Sequence, residues 1–440
     1  MRWIACAEAG RMAFRIVPPA GPANRPCVQP DTADLLARFL RYVQIDTRST
    51  DQSPSTPSTP CQWDLLRLLE TELQQLGLQD VLLTEHGYLL ATLPAITAKK
   101  TPVLAWFAHV DTAPNLPGAA KPIVHRAYDG RPIVLPDDAT QTLTLDTIPF
   151  LRDCLGHDLI TASGTTLLGA DDKAGIAIIM AAVRHLWQHP EIPHGKIRVC
   201  FNPDEEIARG MTKLNLAQLA ADFGYTLDGA APGEIDFETF SADSAVLEIR
   251  GVASHPGWAK DIMVNAARLA GRFLGALPAE LSPERTTGLE GFIHPVECAA
   301  LAEYARVRMI LRDFELEGLA AKRALVAKIV EDLRAAEPRA QFDLTFTEQY
   351  RNMRYWLEQD LRPVEFAQEA IRRAGLAPKS TAIRGGTDGS NLTARGLPTP
   401  NLFTGMHEVH SPREWVSLQD MAKATETLVQ LAQVWEERAS

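Results

Sequence analysis

The sequence FNPDEE, residues 201–206, closes an apolar run that begins at residue 197. Such a run is typical of a buried strand, so Glu205 and Glu206 are expected directly after a strand end. In extended backbone, successive side chains point in opposite directions, which would let one carboxylate bind a metal ion while the other faces a substrate cleft. A solvated acidic loop is the alternative. Because two adjacent like charges are unfavourable without a cation, we expect other parts of the chain to bring further ligands to this point.

Helical and strand patterns alternate around this stretch. The apolar runs at 103–107 and 225–227 resemble buried strands, whereas 173–187 and 214–223 are expected to be helical. Helices that alternate with apolar strands are typical of parallel βαβ units. This part of the chain is therefore predicted to be α/β, with a helix-covered, mostly parallel sheet.

The pattern changes beyond Asp236. Alternating strands and amphipathic helices are predicted at 245–250, 264–277, 306–312, 317–336 and 342–346. Together they predict a smaller α+β unit inserted into the α/β domain. We predict four regions along the chain: an irregular N-terminal extension at 1–30, the first part of the α/β domain at 31–238, the inserted lid domain at 239–350, and the second part of the α/β domain at 351–440.

Composition limits the classes of function. A chain of 440 residues, 46% of them hydrophobic, is long enough for two domains or one with a large insertion. Its 44 basic and 55 acidic residues give a formal net charge of -11, which argues against nucleic acid as the main partner. We find no apolar run of about eighteen residues, so no membrane span is expected. The six cysteines are widely spaced and suggest neither a zinc finger nor a disulfide framework. With no complete secretory segment at the N-terminus, we expect a cytoplasmic protein.

Other polar side chains also follow predicted strands. His109 and Asp111 come directly after the run at 103–107, at the carboxyl edge where open α/β sheets place their sites. Their spacing would put both side chains on one face, so that Asp111 could accept the second ring N–H of a metal-bound His109. Asp228 similarly follows the run at 225–227. A strand-end histidine bonded to a carboxylate, and a turn aspartate, are the simpler alternatives.

Two more groups could supply metal ligands. Asp171 and Asp172 precede a predicted helix, where capping would explain one carboxylate and leave the other available for a cation. His407 and His410 precede Glu414 near the C-terminus, and either histidine could be a ligand. Imidazoles and carboxylates together suit zinc or a related divalent ion. A carboxylate that bridged two such ions would give a two-metal hydrolytic site.

Six segments together carry a family resemblance: FAHVDT at 107–112, LLGADDKAG at 167–175, PDEE at 203–206, HPG at 255–257, RGGTDG at 384–389 and NLFTG at 401–405. They resemble the peptidase T family, the tripeptide aminopeptidases of the dinuclear zinc peptidase group that includes carboxypeptidase G and succinyl-diaminopimelate desuccinylase. The resemblance runs in the expected order from about Asp34 to the end of the chain. The first thirty residues have no counterpart in it.

The resemblance implies two divalent ions, with zinc as the expected metal. The implied ligands are His109 and Asp228 for one ion, Glu206 and His410 for the other, and Asp171 as the bridge. His410 is preferred to His407 because the family pattern places its ligand histidine four residues before a glutamate, here Glu414. The implied fold is a zinc-binding domain made from both ends of the chain and interrupted by a lid.

The resemblance also implies roles around the metal ions. Asp111 would orient His109, and Glu205 would be the general base. Four further residues resemble positions that contact the substrate: His255, which would polarise the scissile carbonyl oxygen, and Asn265, Arg312 and Arg384. An exposed salt bridge is the alternative for each arginine.

The activity implied is a zinc-dependent aminopeptidase that releases the N-terminal residue of tripeptides, using a metal-activated water. A related dinuclear zinc dipeptidase, carboxypeptidase or N-acyl amino acid deacylase is the first alternative, because specificity lies in the lid. A peptide-binding protein without catalysis is a more distant one. A short peptide is the expected partner, and a homodimer through the lid domain is also compatible with the resemblance.

Overall fold

The structure is a computed structural model that describes residues 6–8, 11–13 and 30–439. Its helices are α1 (Thr32–Val43), α2 (Gln62–Gln75), α3 (Ala170–Gln188), α4 (Leu216–Leu219), α5 (Ala266–Ala276), α6 (Leu316–Ala336), α7 (Arg354–Leu357), α8 (Arg362–Arg373), α9 (Asp388–Ala394) and α10 (Leu418–Arg438). Within these described residues, none of the helices has the length and apolar character needed to cross a membrane.

The strands of the first part of the chain are β1 (Cys6–Glu8), β2 (Arg11–Ala13), β3 (Gln79–Leu83), β4 (Leu89–Leu93), β5 (Leu104–His109), β6 (Ile123–His125), β7 (Ile133–Val134), β8 (Thr142–Leu143), β9 (Leu159–Thr161), β10 (Ile197–Asn202), β11 (Phe223–Gly229) and β12 (Ile235–Asp236). Those that follow are β13 (Glu238–Thr239), β14 (Ser241–Arg250), β15 (Phe292–Ala300), β16 (Tyr304–Asp313), β17 (Gln341–Tyr350), β18 (Ala382–Ile383), β19 (Asn401–Phe403), β20 (Met406–His407) and β21 (Trp415–Ser417).

The main sheet has seven strands in the order β12-β19-β11-β5-β10-β4-β3. The four central strands, β19, β11, β5 and β10, are parallel to one another. Only β12 and β4 run in the opposite direction. Helix α3 packs on β5 and β11, with α1 and α10 outside it, and α4 and α9 lie at the other face. The predicted α/β class with a mostly parallel, helix-covered sheet is confirmed.

Helix α3 is buried along most of its length because it lies between the sheet and two other helices. Its glycine, Gly175, is required by this packing. A Cβ atom at that position would lie 2.2 Å from the carbonyl oxygen of Leu227 in β11, closer than any real contact. The helix therefore approaches the sheet more closely there than a larger residue would permit.

A second sheet has the order β15-β16-β14-β17 and is antiparallel throughout. Helices α5 and α6 contact it and share with it a separate hydrophobic core that includes Leu247, Phe273 and Val326. Strand β15 was not predicted, because Pro295 interrupts its pattern. The structure accommodates this proline at an edge of the sheet, where the register shifts between Pro295 and Glu297.

Two other segments differ from expectation. The helix predicted at 214–223 is only the single turn α4, because Ala220 adopts a left-handed conformation with φ 53° and Phe223 begins a strand paired with β5. The apolar residues that suggested a helix instead cover one face of the sheet. In the N-terminal region expected to be irregular, β1 and β2 form an antiparallel pair, and the remainder of residues 1–29 lies outside the described residues.

Candidate metal centre

The carboxyl ends of three neighbouring parallel strands bring the predicted ligands together. His109 ends β5 and is paired in register with Asn202, the last residue of β10. Asp228 lies near the end of β11, on the other side of β5. Because these strands are parallel, their ends meet at one edge of the sheet, where side chains from distant parts of the sequence can converge.

His109 is 2% exposed and lies between carboxylates. Its Nε2 atom is 3.0 Å from Asp171 Oδ1 and 4.0 Å from Asp228 Oδ1. Its Nδ1 atom is 3.3 Å from a carboxylate oxygen of Asp111 and 3.0 Å from the Asp111 carbonyl oxygen. Burial works to lower the pKa of His109, but hydrogen bonds to Asp111 and Asp171 raise it well above the ordinary value. The ring is thus held with Nε2 directed at Asp171 and Asp228, which together with Glu206 form a cluster of carboxylates.

Asp171 spans two imidazoles. Its Oδ1 atom contacts His109, and its Oδ2 atom is 3.1 Å from His410 Nε2. Burial opposes ionisation of this carboxyl group, but the hydrogen bonds from both histidines outweigh it and lower the pKa of Asp171. Each oxygen therefore faces a different histidine, which is the arrangement that a bridging carboxylate requires.

His410 and Glu206 form the second half of the cluster. His410 Nε2 is 2.9 Å from Glu206 Oε2. Hydrogen bonds to Asp171 and Glu206 raise the pKa of His410 to about 11. Burial, with the charge of Asp171, raises the pKa of Glu206 to about 8. The other oxygen, Glu206 Oε1, is buried and has no hydrogen-bond partner among the described residues, so it is free to accept a cation. His407, the alternative histidine, instead stacks between Phe150 and Trp415.

The backbone at the two glutamates is not extended, so that expectation was wrong. Glu205–Ile207 forms a 3-10 turn flanked by Asp204 and Ala208, both with left-handed φ angles near 60°. The buried Asp204 carboxylate fixes the start of this turn by accepting hydrogen bonds from the backbone N–H and hydroxyl of Ser58 and from Gln62 Nε2. The positions of the two glutamates are therefore set by this turn rather than by strand alternation.

Asp111 connects the histidine to the turn. Its Oδ1 accepts a hydrogen bond from the backbone N–H of Glu205 at 3.0 Å, and its Oδ2 accepts one from that of Glu206 at 3.2 Å. The same carboxylate lies beside His109 Nδ1. One buried side chain therefore sets the positions of a histidine and of both glutamates relative to each other.

Glu205, like its neighbour Glu206, is a buried carboxylate with a raised pKa. Burial, reinforced by the negative charge of Asp388, Asp171 and Asp111, raises the pKa of Glu205 to about 8. A carboxylate whose pKa lies near neutral pH is an efficient proton acceptor and donor. This follows from its surroundings and was not visible in the local sequence.

Other buried acids that the sequence reasoning did not assign surround the ligands. Asn202 Nδ2 donates to Asp388 Oδ2 at 2.6 Å, and burial raises the pKa of Asp388 to about 7. Glu414 accepts hydrogen bonds from the backbone N–H groups of Gly169 and Asp171, and burial raises its pKa to about 7. Asp172 accepts from the His109 backbone N–H. Asp172 and Asp388 lie within quoted motifs and Glu414 served only to place His410, but nothing in the sequence shows which groups these acids contact.

The residues predicted to contact substrate lie elsewhere. His255 accepts from the Gly257 backbone N–H and packs against Trp258. Asn265 caps α5 by accepting from the Arg268 backbone N–H at 3.0 Å. The contacts of both side chains are thus with the second sheet's own helices and turns, and the structure does not bring them to the carboxylate cluster.

The two arginines make different contacts. Arg312 donates to Gln349 Oε1 and lies over the Tyr350 ring, 5.1 Å from its centroid. Burial, opposed by Arg312 and reinforced by the charge of the Glu205 carboxylate, raises the pKa of Tyr350 to about 12. Arg384 donates to the carbonyl oxygens of Gly288 and Glu290.

The donor set fits divalent metal ions. Ligand atoms of His109, Asp171 and Glu206 lie within 4.8 Å of one another, as do those of His109, Asp172 and Asp228. Within the described residues, the ion-pair partners of Asp171, Glu206 and Asp228 are all histidines. Buried carboxylates without a lysine or arginine partner are costly, and a cation would stabilise them. Imidazole and carboxylate ligands suit zinc and its first-row neighbours.

Comparisons with known proteins agree on one family. The model of peptidase family M20/M25/M40 matches residues 162–434. Peptidase T of Geobacillus kaustophilus (strain HTA426) is 44% identical over 408 residues, which are 92% of this chain and 99% of the relative.

Solved structures share the fold. Aminopeptidase PepT from Bacillus cereus ATCC 10987 superposes with a TM-score of 0.72 at 23% identity, covering 92% of this chain and 99% of that one. A tripeptidase from Staphylococcus aureus subsp. aureus Mu50 gives 0.72 at 22% identity, covering 93% and 100%. A Bacillus subtilis dinuclear metal binding peptidase from the M20 family gives 0.63 at 15% identity, covering 92% and 98%.

Proposed function

This chain belongs to peptidase family M20/M25/M40, and on that premise we propose that it is a zinc-dependent aminopeptidase that releases the N-terminal residue of tripeptides. The observation that carries the proposal is the position of Asp171, which offers one carboxylate oxygen to each of two histidines. Its relatives named peptidase T, and neighbours described as an aminopeptidase and a tripeptidase, support the choice of substrate.

We propose the following division of ligands between two zinc ions: His109 and Asp228 for one, Glu206 and His410 for the other, with Asp171 shared. The contacts of Asp171 and the unpaired Glu206 Oε1 support it. The domain limits at 31–238, 239–350 and 351–440 belong to the same proposal, as do a cytoplasmic location and a homodimer through the lid.

When bound, the two ions would lower the pKa of a water molecule and polarise the scissile carbonyl group. Glu205 would accept a proton from that water and later deliver it to the leaving amine, as its raised pKa favours. Asp111 would keep Glu205 in place through the backbone N–H of that residue. The role of Asp111 is therefore positioning, whereas Glu205 touches the reacting atoms.

The substrate-contact residues would act after movement of the second sheet. Closure of such a lid over the site would bring His255 and Asn265 towards the peptide and exclude water. Arg312 and Arg384 would pair with the peptide carboxylate, for which a planar guanidinium is well suited. Because specificity would arise from these contacts, related dipeptidases, carboxypeptidases and N-acyl amino acid deacylases are the alternatives.

A substrate panel tests the proposal. The metal-loaded protein is given a tripeptide of three different residues, a dipeptide and an N-acyl amino acid, each with and without a chelator. We expect release of the first residue of the tripeptide and accumulation of the dipeptide product, with loss of release in chelator. Release of the last residue would indicate a carboxypeptidase, and faster hydrolysis of the acyl compound a deacylase. No hydrolysis of any of them by metal-loaded protein would favour a binding protein.

A further inference from the structure

A second group of metal-binding side chains lies outside the catalytic cluster. Cys154, His157 and Asp420 place a thiol sulfur, an imidazole nitrogen and a carboxylate oxygen within 4.8 Å of one another. Cys154 Sγ is 3.7 Å from Asp420 Oδ2, and His157 Nδ1 is 3.8 Å from Asp420 Oδ1. The first two residues are spaced as Cys-x-x-His, and the third comes from the first turn of α10.

The distances are close to those of a metal site. Zinc bonds of about 2.3 Å to sulfur and 2.0 Å to nitrogen or oxygen place tetrahedral ligand atoms roughly 3.3–3.5 Å apart. The two separations from Asp420, 3.7 and 3.8 Å, exceed this by a few tenths of an ångström but involve different carboxylate oxygens. Binding of one ion would therefore require the side chains to turn and His157 Nδ1 to exchange its 2.9 Å hydrogen bond with the Ser417 hydroxyl for the metal. A fourth position would be open to water, since three protein ligands are present.

Ordinary packing explains only part of this arrangement. Asp420 is the third residue of α10, and its backbone N–H donates to the hydroxyl of the N-cap residue Ser417. A carboxylate in the first turn is favourable for a helix, but it needs no thiol beside it. Cys154 and Asp420 are 3% and 6% exposed, and the ion-pair partner of Asp420 among the described residues is His157. A buried carboxylate against a thiol, with no lysine or arginine partner, is stabilised by a cation.

An ion could reach these residues from solvent. His157 has 28% of its side chain exposed, and both His157 and Asp420 line a groove between α1 and the start of α10. The ligands also join separate elements. Cys154 follows the 3-10 turn Pro149–Arg152, and His157 precedes β9. An ion held here would attach this connection to the beginning of α10.

We propose that Cys154, His157 and Asp420 form an additional binding site for a thiophilic divalent ion, zinc in the first place. The thiolate distinguishes it from the catalytic cluster, whose ligands are imidazoles and carboxylates. Binding replaces the thiol proton, which is released to solvent as the metal–sulfur bond forms. The site is structural, because it ties the 149–157 connection to α10, and it does not depend on the proposed peptidase activity.

Cobalt substitution tests this site without reference to catalysis. The full-length protein is stripped of metal and titrated with Co²⁺, and both bound metal and the near-ultraviolet thiolate-to-cobalt absorption band are measured. We expect one equivalent of Co²⁺ to bind with such a band. Cys154→Ser and His157→Gln should each lose that equivalent and the band while keeping the remaining bound metal. Cys298→Ser, which removes an exposed thiol on β15, should keep both.

The absorption band in the native protein and the variants either supports or overturns the proposed site. Loss of the band in both ligand variants but not in Cys298→Ser supports the site. Absence of the band in the native protein at saturating Co²⁺, or its persistence in Cys154→Ser, overturns it. His157 lies on a partly exposed turn, so His157→Gln keeps the test valid even if the buried cysteine variant fails to fold. A failure of the peptidase proposal would change the other bound equivalents or the hydrolysis products, not this band.

Discussion

Asp111 has more contacts than its strand-end position predicted. The sequence suggested that it orients His109, and the structure adds hydrogen bonds to the backbone N–H groups of Glu205 and Glu206. Each carboxylate oxygen accepts one of these N–H groups, whereas an amide would replace one of the two acceptor oxygens with a donor. Residues of this kind tune a metal site without binding the ion.

Asp111→Asn should therefore weaken metal binding roughly 10- to 100-fold and lower turnover, while the protein stays folded. Competition with a chelator measures the affinity. Asp222→Asn is a matched control, because Asp222 also accepts from a backbone N–H, that of Val103, but in a more exposed position. Unchanged metal affinity in Asp111→Asn would show that the contacts seen here do not position the ligands.

The pKa shifts of the cluster predict how metal-free protein responds to pH. Glu205 and Glu206 have pKa values raised from 4.5 to about 8, and that of His410 is raised from 6.5 to about 11. In each case the folded state binds more protons than the unfolded state between the two values. The free energy of unfolding of the metal-free protein should therefore fall as the pH rises from about 5 to 8.

Urea unfolding at several pH values, with and without bound metal, checks this expectation. In the metal-loaded protein the cations replace the protons, so the fall in unfolding free energy should be much smaller. A metal-free protein that became more stable over the same interval would contradict the electrostatics described for the cluster.

At the level of single residues, sequence reasoning identified the candidate metal ligands better than the residues that hydrogen-bond to them or surround them. Strand ends and a helix start made His109 and the two acidic pairs candidates, the family resemblance selected Asp171 and Glu206 from those pairs, and the structure brings the three residues together. Asn202 and Asp388 went unassigned because their hydrogen bond joins residues 186 positions apart. Local spacing carries no signal for such a pair.

A glycine of one sequence motif, near the start of α3, determines how closely that helix packs on the sheet. Gly175 in LLGADDKAG lies where a Cβ atom would meet the Leu227 carbonyl oxygen and the Asp172 carboxylate. Asp172 in turn accepts from the His109 backbone N–H. The glycine is therefore needed for close approach of helix and strand beside the ligands.

Gly175→Ala should lower the free energy of unfolding by about 1–3 kcal/mol or more and reduce metal affinity, because α3 must move away from β11. Thermal or urea unfolding measures the first effect. Gly271→Ala in α5 is the matched helical control, since its Cβ would meet nothing within 4 Å. That variant should be neutral or more stable by up to about 1 kcal/mol. Equal effects at both glycines would refute the close approach of α3 to β11.

Strands with a continuous apolar pattern were predictable from the sequence. Strands whose pattern is interrupted or very short were not. The central strands follow continuous apolar runs, so their positions agree with prediction. Strand β15 was missed because Pro295 weakens its pattern, which only an edge position tolerates. The short strands β20, β21, β9 and β6 form a sheet of their own and are too brief to show periodicity.

On the scale of the whole molecule, Arg384 connects the C-terminal part of the chain to the loop that precedes β15 in the second sheet. It comes from the C-terminal part of the chain and donates to the carbonyl oxygens of Gly288 and Glu290 and to the Thr286 hydroxyl, which lie before β15. The change of pattern near Asp236 predicted an inserted unit, but not this contact. Such a contact depends on how the inserted unit packs against the rest of the chain, which local sequence patterns do not show.

Arg384→Ala should release the loop at 286–290, so that its amide hydrogens exchange roughly 3- to 10-fold faster. Hydrogen exchange of the free protein measures this. Arg285→Ala, in the exposed turn beside the same loop, should leave the exchange rate nearly unchanged. A raised KM for a tripeptide with no change in exchange would instead favour a role for Arg384 in substrate binding alone.

The division of work between Glu206, the proposed ligand whose Oε2 lies 2.9 Å from His410 Nε2, and Glu205, the proposed general base, is the centre of this account. Turnover of a tripeptide by metal-loaded Glu205→Gln tests it most directly, with Glu85→Gln, an exposed glutamate, as control. We predict native metal content and folding, with kcat lowered about 10²- to 10⁴-fold, as for loss of a general base. Near-native turnover in that variant would contradict the role of Glu205.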